Sequence, residues 1–134
     1  MKKLLCAALC VLPGLILTVG VKTVFGPCVH ADGSVSICAA CGEEVFHAGL
    51  AMIVLAVARF AFPRDKRFAV DTVSLLVSVC AALLPFLMKT CMMQTMRCNA
   101  VMRPAVLLIA AAGTLLDICL LAGDIRMMKE KKHA

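Results

Sequence analysis

Four long apolar runs, separated by three polar connections, dominate the pattern of this chain. Leu4–Phe25 is interrupted only by Lys22 near its end, and Val45–Phe62 carries Arg59 near its end. Ala69–Met88 has Asp71 at its beginning, and Pro104–Gly123 has Asp117 inside. A hydrocarbon core about 30 Å thick needs about 20 apolar residues in helix, so each run predicts one membrane-spanning helix. The connections are Gly26–Glu44, Pro63–Phe68 and Lys89–Arg103. No stretch alternates apolar and polar residues as a barrel strand does, and no internal repeat is visible. The expected fold is all-α and integral to the membrane. It is a single domain over residues 1–134, an antiparallel bundle of four transmembrane helices.

Composition agrees. Hydrophobic residues make up 63% of the 134, charged residues 16%, and the mean hydropathy is +0.99. A soluble chain is closer to half apolar and a quarter charged, so a soluble enzyme, a nucleic-acid-binding module and a disordered tail are all excluded. The net charge of +6 is then a matter of topology. Of the 14 Lys and Arg residues, ten lie at the N-terminus, the middle connection and the C-terminal tail. They are Lys2, Lys3, Arg59, Arg64, Lys66, Arg67, Arg126, Lys129, Lys131 and Lys132. The positive-inside bias predicts a protein of the cytoplasmic membrane with both termini cytoplasmic and the two longer connections outside. Met-Lys-Lys before an apolar run also fits a signal peptide, but the run is longer than such a segment usually has, and a retained anchor helix is expected.

Pro104 stands where a helix would begin, while Pro13 and Pro85 fall inside spans and should kink them. The small residues Ala110-Ala111-Ala112-Gly113 and Ala48, Gly49 and Ala51 would let helix backbones approach closely. An intramembrane carboxylate should face the bundle and find a partner. At ~1.5 Å per residue, Asp117 lies about 20 Å along a helix starting at Pro104, and Arg59 about 24 Å along one starting at Glu43. These depths predict an Asp117–Arg59 pair locking the second and fourth helices, with Asp71 as a competitor for the arginine. Asp124 and the Arg126–Lys132 run are expected at the inner interface as a solvated or lipid-facing anchor.

Nine cysteines are the other notable feature. Cys6, Cys10, Cys80 and Cys119 fall within the apolar runs, where a thiol behaves as a small hydrophobe. Cys28, Cys38, Cys41, Cys91 and Cys98 fall in the two outer connections, a disulfide-permissive compartment, and predict a cysteine-rich outer cap. Three readings remain open. Structural disulfides would staple the loops, Cys91 with Cys98 and Cys28 with Cys38 or Cys41. Alternatively, Cys38/Cys41 and Cys91/Cys98 are exchanging redox pairs, since a C-x-x-C near a helix start favours the thiolate. That layout resembles the bacterial membrane oxidoreductases that make disulfides with quinone, except that His47 stands nearest the place of their arginine. Third, Cys91, Met92, Met93, Met96 and Cys98, with Met88 and Met102 nearby and Cys38, Cys41, His30 and His47 across the gap, offer the soft ligands that Cu(I) selects. The spacing matches no zinc site and names no cofactor. On a helix Glu43 and Glu44 both reach His47. This gives either a local pair or a proton acceptor beside the cysteines.

The chain also resembles family 4418 of the domains of unknown function, small four-span proteins of bacteria and archaea. The residues that carry the resemblance are Pro27-Cys28, Asp32-Gly33-Ser34 and Cys38 in the first outer connection. In the second they are Cys91, Thr95-Met96, Cys98 and Arg103-Pro104. Relatives often carry His directly after the cysteines at 38 and 98, where this chain has Ala39 and Asn99. The resemblance implies the four-span fold and no particular reaction. By analogy it implies an accessory protein in the lipid bilayer, such as a non-catalytic subunit beside a larger membrane partner of the ABC-transporter kind.

Overall fold

The computed structural model describes residues 2–26, 28, 37–88 and 97–133, with the side chains of residues 2–6, 37, 64, 65 and 131 excepted. The helices are α1 (Lys2–Thr23), α2 (Ile37–Ala61), α3 (Arg64–Leu87) and α4 (Arg103–His133), and a short π turn, Cys98–Met102, leads into α4. Each helix packs on the next, and α4 returns to pack on α1, closing a ring. One end of the bundle carries the cysteines at 28, 38, 41 and 98, and the other carries the basic residues around Arg59 and Arg126.

The helices are inside out relative to a soluble protein. Cys38–Ala61, Lys66–Leu87 and Cys98–Glu130 are long and apolar enough to cross a membrane, yet only 17% to 28% of each span is buried. α1 contributes the shorter apolar stretch Ala7–Thr23. Leu76, Leu87 and Leu108 are 65%, 77% and 70% exposed, and such surfaces belong against lipid. The protein is an all-α membrane bundle.

Three boundaries differ from the apolar runs. α2 begins at Ile37, ahead of the run at Val45, because Ile37-Cys38-Ala39-Ala40-Cys41 holds no Pro or Gly and its buried cysteines pack inward. α3 begins at Arg64 after extended Pro63, so the charged residues 64–67 form its first turn. The link Phe62–Pro63 is tied by Lys66 N–H donating to Pro63 O at 3.0 Å. α4 continues through the exposed basic tail to His133. Pro13 and Pro85 lie inside α1 and α3, and Pro104 sits in the first turn of α4.

With lipid as apolar as leucine, packing at close approach holds membrane helices together. The closest crossing is α1 on α2. A methyl added at Gly14 would lie 2.7 Å from Gly49 O, and one at Gly49 would lie 3.0 Å from Gly14 O. The apolar core is concentrated towards the cysteine-bearing end, where Leu17, Val21, Phe25, Cys41, Val45, Met102 and Val106 pack together.

Candidate functional site

Among the described residues, one cluster gathers at each end of the bundle and an Asp–Ser group lies between them. The first gathers sulfur. Cys38 and Cys41 sit in the opening turns of α2, not in a loop before it as the apolar pattern implied. Both face inward and are 1% and 0% exposed. Cys98 opens the π turn and is likewise buried. π turns add a residue to a helix and recur at functional positions. Cys28 reaches the same spot from the other connection. Its Sγ is 3.1 Å from Cys98 Sγ, and its N–H donates to Cys98 Sγ at 3.4 Å. Cys41 lies within electrostatic range of both Cys98 and the Glu44 carboxylate.

The structure therefore brings together Cys28, Cys41 and Cys98, with Cys38 one turn from Cys41. Where the disulfide reading pairs Cys28 with Cys38 or Cys41, the structure shows Cys28 Sγ 3.1 Å from Cys98 Sγ. Cys91, His30 and Met92–Met96 lie outside the described residues. His47 and Glu44 are exposed, and His47 makes an edge contact with Phe46, ring centroids 5.8 Å apart. The acidic neighbour Glu43 is taken by Lys22 at 2.5 Å, and Lys22 also lies 4.9 Å over the Phe46 ring. Among the described residues, no hydrogen bond joins His47 to Glu43, Glu44 or a cysteine, and no three His, Cys, Asp or Glu side chains converge to hold a metal ion.

The second cluster corrects the expected Asp117–Arg59 pair. Arg59, 9% exposed, donates from Nη1 to Asp71 Oδ1. It donates from Nη2 to Asp124 Oδ2 at 3.1 Å. The competitor Asp71 takes the arginine, and Asp124 is a partner instead of a solvated anchor. The cause is the earlier start of α2. From Ile37, Arg59 lies about 33 Å along its helix at ~1.5 Å per residue, Asp117 only about 21 Å along α4, and Asp124 about 32 Å. Helices α2, α3 and α4 are thus pinned by one guanidinium.

Asp117 finds hydroxyls. Ser74 Oγ donates to Oδ1 at 3.1 Å and Ser78 Oγ to Oδ2 at 2.8 Å. Sequence reasoning missed both serines, although Asp71, Ser74 and Ser78 recur at the three- and four-residue spacing of one helix face. Beside Asp117 is a small cavity of about 10 Å³ lined by Pro13, Met52, Gly113 and Leu116. Of the cysteines expected in spans, Cys10 is half-buried near this cavity, and Cys80 and Cys119 are exposed.

A lipid-facing four-helix bundle with inward thiols at one end defines a small polytopic membrane protein. Over residues 10–122 the chain matches the family described as Domain of unknown function (DUF4418), and it belongs to that family. No curated protein and no solved structure matches it.

Proposed function

We propose that this protein is an accessory membrane protein whose cysteine-bearing end faces the oxidising, extracytoplasmic side. There a Cys28–Cys98 disulfide closes the cap, and Cys41 is the thiol that exchanges with it. The observation that carries this reading is the 3.1 Å approach of the two sulfurs, from positions 70 residues apart in sequence. Orientation is supported by the ten Lys and Arg residues on the opposite side of the membrane. Forming the bond transfers two electrons and two protons from Cys28 and Cys98 to the disulfide of a partner protein, which leaves as a dithiol. In exchange, the Cys41 thiolate attacks Cys98 Sγ, the Cys41–Cys98 bond forms, and Cys28 leaves as the thiolate and takes up the proton. No net oxidation occurs in that second step. Burial of Cys38, Cys41 and Cys98 favours an internal staple and relay, with half-buried Cys28 as the outlet. A larger membrane protein is the natural partner for so small a bundle.

The test is the disulfide map of unreduced, alkylated protein by mass spectrometry. A Cys28–Cys98 linked peptide is expected in wild type and a Cys41–Cys98 peptide in Cys28→Ser. Free thiols at Cys28 and Cys98 in protein from oxidising membranes would overturn the reading. Exchange with a partner predicts a mixed disulfide trapped through Cys28 in Cys98→Ser. A fully inert thiol there would leave the staple alone and refute the exchange.

A further inference from the structure

Arg59 already holds Asp71 and Asp124, and it reaches Asp117 only through space, without a hydrogen bond. Among the described residues, these clusters inside the bundle therefore carry, at formal charges, three carboxylates against one guanidinium. An intramembrane carboxylate without its own counter-ion marks a functional position. Asp117 is prepared as an acceptor: one serine hydroxyl donates to each oxygen, and the remaining lone pairs border the adjoining cavity. At about 10 Å³, that cavity holds one sphere the size of a water molecule. Ser74, Asp117 and the Cys10 thiol are among the groups that line it, and Ser78 Oγ donates to the same carboxylate. A carboxylate and two hydroxyls are hard oxygen donors of the kind that small cations take.

We propose that Asp117, Ser74 and Ser78 form an intramembrane binding site for one small monovalent cation, of the size of Na⁺. Gly113 keeps it open. A methyl at Gly113 would lie 2.8 Å from Met52 Cε and 3.7 Å from Ser78 Oγ, so Gly113→Ala fills the cavity and displaces only the flexible end of a methionine. The site is separate from the cysteine cluster and does not depend on its redox state.

The experiment is equilibrium binding of radioactive Na⁺ to the purified full chain in phosphatidylcholine nanodiscs. Saturable binding of one Na⁺ per chain is expected, with competition by Li⁺ and none by Cs⁺. Asp117→Asn should abolish it. Ser78→Ala and Gly113→Ala, which keep the carboxylate, should each weaken it about tenfold, and lipid-facing Cys119→Ser should leave it unchanged. Because Asp117→Asn can fail to fold, Ser78→Ala and Gly113→Ala decide the matter in properly folded protein. Undetectable Na⁺ binding, equal competition by Cs⁺, or wild-type affinity in Gly113→Ala would each overturn the proposal. So would an infrared band of a protonated carboxyl, lost in Asp117→Asn and insensitive to Na⁺, because a proton would then fill the role of the cation.

Discussion

Replacing Gly49 by alanine tests the tightest contact in the bundle. The new methyl would meet Gly14 O, Leu17 Cβ and Thr18 N of α1, all at 3.0 Å. Two of these three atoms are backbone, so no side chain can rotate away. Carbon contacts are most favourable at about 3.5–4.0 Å, so α1 and α2 must part by about half an ångström or more. Such a gap forfeits a quarter to a half of the dispersion energy of the atoms that separate. Overpacking of this kind costs about 1–3 kcal/mol, offset by at most about 1 kcal/mol of helix propensity gained by replacing glycine. A net loss of about 1–2 kcal/mol is expected from SDS-titration unfolding in mixed micelles, followed by circular dichroism. Gly123→Ala is the internal control, because nothing lies within 4 Å of its added methyl, and it should be neutral or slightly stabilising. Gly14→Ala meets the same seam from the other helix, 2.7 Å from Gly49 O. Once the helices have moved apart for one methyl, the second costs less, so the double variant should lose less than the sum of the singles. A Gly49→Ala protein as stable as Gly123→Ala, or a strictly additive double variant, would refute the close crossing.

Other outcomes follow from the two polar clusters. Cys98→Ser, or reduction, removes a cross-link closing 70 residues of sequence separation. Loop-closure entropy puts its worth at up to about 4 kcal/mol, and nearer 2 where the intervening helices persist in the unfolded bilayer state. The SDS midpoint should fall in wild type on reduction and not in Cys98→Ser. Arg59→Ala strands Asp71 and Asp124 beside one another and should cost about 3–5 kcal/mol in the same assay. Replacing all three charges by leucine should recover most of that loss. Cys119→Ser, on an exposed face, should change stability by less than about 0.5 kcal/mol.

The helices and their lipid surface were legible in the sequence because the apolar runs are long and the polar connections distinct. Gly113 and Gly49 were also legible as packing positions, but Gly14, a single glycine beside a proline, was not. The ion pairs failed for a definable reason. Depth along a helix depends on where the helix starts, and Cys38-Ala39-Ala40-Cys41 reads equally well as loop or as first turn. Six residues of uncertainty at the start of α2 moved Arg59 by about 9 Å, close to two turns. That is the difference between Asp117 and Asp124. The serines were hidden because a hydroxyl carries no charge to flag it. The cysteines were legible as a group, whereas their pairing depends on which connection folds over which helix end, and spacing does not encode this.

Arg59 grips α2, α3 and α4 and leaves α1 outside its knot. At the basic end α1 and α2 border an open apolar cleft of about 370 Å³ lined by Ala7, Ala8, Val11, Val57 and Phe60. Among the described side chains no ion pair ties α1 into that end. A detergent molecule wedging between helices there would meet charge at three of them and packing at the fourth.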